Sequence, residues 1–298
     1  MDNTHQIDWT DPLMSRTFYV NGDFVAEENA KISVLDRGFL FADAVYEVST
    51  ILNGKLIDNA AHLKRLARSL SELSMAPPCS DDEILAAQEQ LLKLNGVEEG
   101  LLYLQVSRGA ADRDFAYPQN ARSSLVMFTQ KKSLLDSALA KQGMHIISIP
   151  DLRWKRRDIK TVGLLAPSMG KQAAVDAGVH DAWMVEDGLV TEGTSNNAYI
   201  VTVDKVIQTR QLGHEILSGI TRQAVLKFAR TAGYTVVEEP FTIEAARQAS
   251  EAFITSASSF VMPVVNIDGV ALGDGSPGPV STQLRKIYIE TALEHQDL

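Results

Sequence analysis

The segment Arg153-Trp154-Lys155-Arg156-Arg157-Asp158-Ile159-Lys160-Thr161-Val162-Gly163-Leu164-Leu165 passes from a charged run into an apolar one, and Lys160 stands at the crossing. Read locally, Lys160 ends an extended segment, and Lys155, Arg156 and Arg157 form a solvated run before it. An ammonium group set against Val162, Leu164 and Leu165 loses hydration, which favours the neutral, nucleophilic amine. Taken alone, such a lysine is an ordinary solvated or salt-bridged side chain. Its meaning depends on what the rest of the chain brings beside it.

Working outward, several other segments are more polar and more glycine-punctuated than packing requires. In Thr191-Glu192-Gly193-Thr194-Ser195-Asn196-Asn197, the glycine allows backbone to approach a ligand closely. A carboxylate such as Glu192 facing a pyridine nitrogen would keep that ring protonated and make it an electron sink. A surface turn is the plainer reading of the same residues. Ser218-Gly219-Ile220-Thr221-Arg222 opens a helix, and a helix start presents free N–H groups and partial positive charge to phosphate. The Thr221 hydroxyl could add to them, and a simple cap is the alternative. Thr255-Ser256-Ala257-Ser258-Ser259 is a second candidate phosphate nest. Arg65, within His62-Leu63-Lys64-Arg65-Leu66, reads either as a phosphate clamp or as the polar face of its helix. Asp36-Arg37-Gly38 to Tyr46-Glu47 is the remaining polar segment.

Around these segments the chain reads as α/β: an α+β first part and a mixed strand and helix second part. Asn21-Gly22 and Asn53-Gly54 each separate β-prone runs and predict hairpins, because both turn residues tolerate positive φ. Helices are predicted over Ala60–Leu73 and from the Ser80-Asp81-Asp82 cap to Asn95-Gly96. Leu101–Val106 and Ser124–Phe128 read as buried strands. The reading divides the chain into an arm (1–15), a small α+β domain (16–130), a linker (131–135) and a larger cofactor-binding domain (136–298). Strands are expected in the larger domain at His145–Ile149, Asp181–Val185, Ala198–Val203, Lys205–Thr209 and Ala252–Thr255. Helices are expected at Leu164–Ala177, Gly219–Ala232, Ile243–Gln248 and Val280–Leu293. Hairpins are expected at Glu186-Asp187-Gly188 and Asp268-Gly269. No strict βαβ alternation or internal repeat shows.

Composition narrows the function. The chain has 298 residues, 45% hydrophobic and 22% charged, enough for a sizeable core without staples. A net charge of -10 argues against nucleic acid as a partner. One cysteine, Cys79, precludes an internal disulfide and reads as an ordinary loop thiol. The histidines lack HExxH or HxH spacing, so no metal site is expected, and no GxSxG elbow supports a hydrolase. Residues 1–15 lack the basic and apolar regions of a secretory signal. No apolar run approaches the roughly 18–20 residues of a membrane span. A cytoplasmic protein is the expectation.

In their order and spacing, these pieces resemble the class IV aminotransferases, the fold-type IV pyridoxal-phosphate (PLP) enzymes. The branch most resembled is the D-amino-acid transaminases. The resemblance runs from about Arg16 to about Leu284. It rests on Tyr19-Val20-Asn21-Gly22, Asp36-Arg37-Gly38, Val45-Tyr46-Glu47-Val48, His62-Leu63-Lys64-Arg65-Leu66 and Tyr103-Leu104-Gln105-Val106-Ser107-Arg108-Gly109. It rests equally on Arg153-Trp154, Asp158-Ile159-Lys160, Val190-Thr191-Glu192-Gly193, Gly219-Ile220-Thr221-Arg222 and Thr255-Ser256. The resemblance implies a two-domain fold with its site in the cleft, pyridoxal 5'-phosphate as cofactor, and a homodimer in which loops of one subunit complete the other's site. It implies that Lys160 carries the cofactor as a Schiff base and shuttles the substrate proton, and that Glu192 pairs with the pyridine nitrogen. Arg65 would bind the phosphate, with Ile220, Thr221, Ser256 and the Ala257 backbone. Leu217 would pack on the ring. Tyr46, Tyr103 and Arg113 would meet the substrate.

Departures from the pattern bear on specificity. D-amino-acid transaminases typically hold the substrate carboxylate with an Arg-x-His pair. Here the loop is Asp112-Arg113-Asp114-Phe115-Ala116-Tyr117-Pro118, so Phe115 stands in the histidine's place. That removes a charge-assisted hydrogen bond worth about 1.5–3 kcal/mol. Ala257 also stands where a threonine is common. Branched-chain aminotransferases usually carry Phe-Glu-Gly-x-Arg where this chain has Tyr46-Glu47-Val48-Ser49-Thr50, and aminodeoxychorismate lyases carry a threonine pair there. (R)-amine transaminases also depart in the Arg-x-His loop and are the main rival. The expected reaction is amino transfer between a D-amino acid, D-alanine foremost, and a 2-oxo acid such as 2-oxoglutarate, with ping-pong kinetics. A non-catalytic scaffold would have lost the lysine or the glutamate, and both are present.

Overall fold

A computed structural model of the chain describes residues 15–298. The expected arm, residues 1–15, lies outside the described residues except for Ser15. The chain forms a mixed α/β architecture with two sheets.

The first sheet is antiparallel throughout. It contains β1 (Thr17–Val20), β2 (Asp23–Ala26), β3 (Ala44–Leu52), β4 (Lys55–Ile57), β5 (Glu99–Ser107) and β6 (Ser124–Lys131), in the order β2-β1-β6-β5-β3-β4. Both Asn-Gly pairs make the expected hairpin turns, with Asn21 and Gly22 at φ 53° and 111° and Asn53 and Gly54 at 50° and 68°. A five-residue helix, α1 (Arg37–Phe41), precedes β3. Helices α2 (Asn59–Glu72) and α3 (Asp81–Asn95) cover one face of the sheet. Ser80 and Glu83 close a capping box on α3, and Gly96 ends it in the left-handed region. Leu63, Leu66 and Leu70 of α2 meet Leu102, Leu104 and Val106 of β5 in the core beneath. Asp81 and Asp82 are therefore first-turn residues of a helix, as expected from their spacing.

After α4 (Ala138–Gln142), the second sheet begins with β7 (Met144–Pro150). It continues with α5 (Leu165–Asp176), β8 (Asp181–Glu186), β9 (Leu189–Gly193), β10 (Asn197–Val201), β11 (Ile207–Thr209), α6 (Ile220–Thr231) and β12 (Val236–Glu238). Then come α7 (Ile243–Arg247), β13 (Glu251–Ser256), β14 (Phe260–Ile267), β15 (Val270–Ala271) and α8 (Pro279–Glu294). The strand order is β12-β11-β10-β13-β14-β7-β8-β9, with β15 on β14. Two βαβ crossovers lie within it, β7-α5-β8 and β11-α6-β12, and both strand pairs are parallel. One core cluster packs α6 and α8 on this sheet and takes in Leu52, Ile57 and Leu101 from the first sheet. The two halves thus share apolar packing, and Leu134, within the expected linker, is buried in it.

The structure corrects three local expectations. The strand expected from Lys205 starts at Ile207, because Lys205 takes φ 62° in the turn after β10. The segment before Lys160 is not extended: Ile159 N–H donates to the Arg156 carbonyl and closes a turn there. Arg157, expected in a solvated run, is buried, because Glu186 and Asp151 pair with it. Strand β12 and the short helices α1 and α4 have no counterpart in the sequence reading, which reaches β14 only through its hairpin at Asp268-Gly269.

Candidate active site

A cavity of about 300 Å³ lies where β3 and β5 of the first sheet meet β9, β13 and the start of α6 in the second. Lys160, Glu192 and Arg65 all line it. So do Leu217, Ile220 and Thr221 near the start of α6, and Ser256 and Ala257 after β13. Tyr46 and Tyr103 form the wall from the first sheet. Segments far apart in sequence therefore converge on one space. Arg113 does not join them. It is exposed, with its guanidinium carbon 5.1 Å from the Phe41 ring centre and 5.4 Å from that of Phe115.

Lys160 is held through its backbone. Tyr46 N–H donates to the Lys160 carbonyl at 3.0 Å, and Thr161 bridges to Val45. The Lys160 amine rests 4.2 Å from the centre of the Tyr46 ring. Ionic ties fasten the approach to it: Arg68 of α2 meets the Asp158 carboxylate at 2.6 Å, and Arg156 meets it at 3.0 Å. The turn that presents the amine is thereby tied to both α2 and β3.

Glu192 is buried at the end of β9. Its carboxylate accepts from Arg153, from the Asn197 amide at 3.0 Å and from Leu217 N–H at 3.1 Å. Burial pushes its pKa up, against the lowering charge of Arg153. Arg153 is shared with Asp151 at 2.7 Å, which in turn accepts from Thr191. Asn197 also donates to the Leu217 carbonyl at 2.9 Å and so fixes the segment leading into α6. Gly219, the residue before α6, admits no side chain: a Cβ there would lie 2.2 Å from the Asn197 Oδ1.

Sequence reasoning missed the hub beneath this cavity. Because β3 alternates, Tyr46 faces the cavity and Glu47 turns inward toward α2. Glu47 is 2% exposed and accepts from Arg65 Nε at 2.8 Å, from Arg65 Nη2 at 2.7 Å and pairs with His62 Nδ1 at 2.7 Å. Burial alone would raise its pKa, but Arg65 and His62 outweigh burial and hold it at about 2. A depressed folded-state value means the stabilisation is complete above the ordinary 4.5 and is lost as pH falls from there through about 2. Denaturation midpoints measured from about pH 6 down to about pH 3 should therefore fall more steeply in the wild type than in Glu47→Gln. Parallel curves would remove Glu47 from the acid response. The signal that could have found it was the strand alternation beside Tyr46.

The donors fit a phosphorylated pyridine. Helix starts carry N–H groups without intrahelical partners, here at Ile220 and Thr221. Arg65 and the hydroxyls of Thr221, Ser256 and Ser258 border the same space. A desolvated carboxylate, Glu192, and a primary amine, Lys160, complete the set. Every other basic side chain lining the cavity is already matched with a carboxylate: His62 and Arg65 with Glu47, Arg153 with Asp151 and Glu192, and Arg157 with Asp151 and Glu186.

The chain belongs to the class IV aminotransferases: residues 44–267 match the model of the family described as "Amino-transferase class IV". It is an aminotransferase. It is 35% identical over 277 residues to the D-alanine aminotransferase of Staphylococcus aureus (strain MSSA476), covering 92% of this chain and 98% of that one. It is 36% identical over 278 residues to the D-alanine aminotransferase of Bacillus licheniformis, covering 93% and 96%. Among solved structures, it resembles the branched-chain aminotransferase of the thermophilic archaeon Thermoproteus uzoniensis with norvaline. That match has a TM-score of 0.81 and 26% identity, and covers 94% of this chain and 95% of that one. Among the described residues, no helix is long and apolar enough to cross a membrane, and no cluster of metal-ligating side chains occurs.

Proposed function

We propose that this enzyme transfers the amino group between a D-amino acid, D-alanine foremost, and a 2-oxo acid such as 2-oxoglutarate, using pyridoxal 5'-phosphate in a ping-pong cycle. The observation that carries the reading is the convergence of Lys160, buried Glu192 and the phosphate-type donors on one cavity. The D-alanine aminotransferase relatives support the D-selective form of it.

Bound there, the cofactor supplies an electron sink for the bond breaking at the substrate's α-carbon. This chain's residues do the rest. Arg65, the N–H groups of Ile220 and Thr221, and Ser256 with the Ala257 backbone hold the phosphate, and Leu217 packs on the ring. Glu192 keeps the ring nitrogen protonated. Lys160 would hold the cofactor covalently, and its amine, when free, would carry the substrate's α-proton. Tyr46 and Tyr103 wall the space in which that proton moves. In this reading residues 16–130 form a small domain and 136–298 a larger one, joined by 131–135, with the cavity between their sheets. The enzyme is then a cytoplasmic homodimer in which the Arg113 loop serves the second copy's cavity.

A second reading follows from the paired cations. Within one chain, no cavity cation except Lys160 is left without a carboxylate partner among the described residues, so nothing there is reserved for a substrate carboxylate. An (R)-amine transaminase would need no such group. Half-reactions followed by loss of cofactor absorbance separate the readings. D-Alanine should bleach the enzyme faster than L-leucine or (R)-1-phenylethylamine. Faster bleaching by the amine would move the assignment to (R)-amines, and bleaching by L-leucine alone would sink the D-selective reading.

A further inference from the structure

Glu47 sits in an odd place for a carboxylate. It is buried directly behind Arg65, the group proposed to neutralise a phosphate. By charge alone it weakens the site, because it offsets the guanidinium and repels the incoming anion. Its geometry does something else. Its two oxygens take Arg65 Nε and Nη2 as a bidentate fork, at 2.8 and 2.7 Å. The remaining nitrogen, Arg65 Nη1, donates to the Ser218 carbonyl at 2.8 Å, one residue before the Gly219 cap of α6. Arg65 is therefore clamped at both ends: to β3 of the first sheet and to the backbone that leads into the helix start of the second.

His62 lies one helical turn before Arg65 on α2 and braces the same carboxylate at 2.7 Å. The clamp thus has its own support. A guanidinium has five N–H donors in a rigid plane. The contacts to Glu47 and Ser218 use three of them and fix the plane, so the two donors that remain have set directions.

We propose that Glu47, braced by His62, is a positioning residue for phosphate recognition: it fixes the Arg65 guanidinium and ties the first sheet to the start of α6 without touching the ligand. The proposal rests on the cofactor reading above. Charge and positioning predict opposite signs, which makes it testable. Glu47→Gln removes the negative charge but turns an N–H₂ toward Arg65, so the fork cannot form.

The measurement is binding to apoenzyme by fluorescence or calorimetry, with three probes: pyridoxal 5'-phosphate, pyridoxal and inorganic phosphate. In Glu47→Gln, affinity for pyridoxal 5'-phosphate and for inorganic phosphate should fall by about tenfold or more, the range for lost hydrogen bonds to a charged group. Pyridoxal affinity should change by less than about threefold, since it has no phosphate to place. In an Arg65→Ala background, Glu47→Gln should add no further loss. Unchanged or tighter phosphate binding in Glu47→Gln overturns the proposal, as does an equal loss for pyridoxal. If Glu47→Gln does not fold, His62→Gln carries the test: a few-fold loss for the phosphorylated probe only supports the proposal, and unchanged affinity overturns it. Failure of the cofactor reading shows separately, as a wild-type protein that binds none of the cofactor.

Discussion

Lys160→Ala should lower transamination by at least about 10⁴-fold, because one amine supplies both the covalent hold on the cofactor and the proton transfer. No neighbour can substitute. The other basic side chains bordering the cavity are bound to Glu47, Glu192, Asp151 and Glu186. Three of them, Arg65, Arg153 and Arg157, are guanidinium groups, which stay protonated. Lys155, five residues away, is exposed and paired with Glu186. The backbone that presents Lys160 is held by Tyr46 N–H and by the Asp158 ties, none of which involve the amine. The variant should therefore fold with a melting temperature near the wild type's. It should still bind the cofactor through the phosphate donors, but lose the yellow absorbance on dialysis. A folded Lys160→Ala protein keeping more than about a hundredth of the activity would remove Lys160 from the centre of the chemistry.

The sequence showed β1 to β4 of the first sheet through their Asn-Gly turns, because a two-residue hairpin needs residues that accept positive φ. It showed α3 through its cap and α6 through Gly219. Ten of the eleven candidate side chains came to line one cavity: some stood in polar, turn-like segments, while Tyr103 and Leu217 were named by the resemblance. What was hidden is pairwise. Arg157 looked solvated because its partners, Asp151 and Glu186, are six and 29 residues away in sequence. Glu47 showed only as part of a matched segment, when it is the inward-facing neighbour of Tyr46 on a strand. Burial of a charge depends on a partner across space, and one chain without its contacts cannot show that partner. Arg113 is the reverse case: its place in a motif was legible, yet the fold of one chain leaves it outside the cavity.

The second large effect concerns Glu192. Glu192→Gln should lower kcat by about 10²- to 10³-fold, the usual scale for one preorganised electrostatic group. Glu192 also pairs with Arg153, so a loss of activity could come from a loosened fold. The contacts argue that it would not. Arg153 keeps Asp151, which it meets through Nε at 3.0 Å and Nη2 at 2.7 Å, so removing the Glu192 charge does not strand a buried cation. Glutamine keeps the oxygen that accepts from Leu217 N–H and Asn197, given the right amide orientation. What it cannot do is carry charge. Burial already raises the Glu192 pKa, so this carboxylate gains most from a neighbouring N–H that shares its proton, which a pyridine ring nitrogen supplies. The expected signature is a fall in kcat with a melting temperature within a few degrees of the wild type's. The bound cofactor's absorbance should also shift, because its ring nitrogen is no longer held protonated. If stability collapses while kcat per folded molecule is kept, Glu192 serves the Arg153 network and not the reaction.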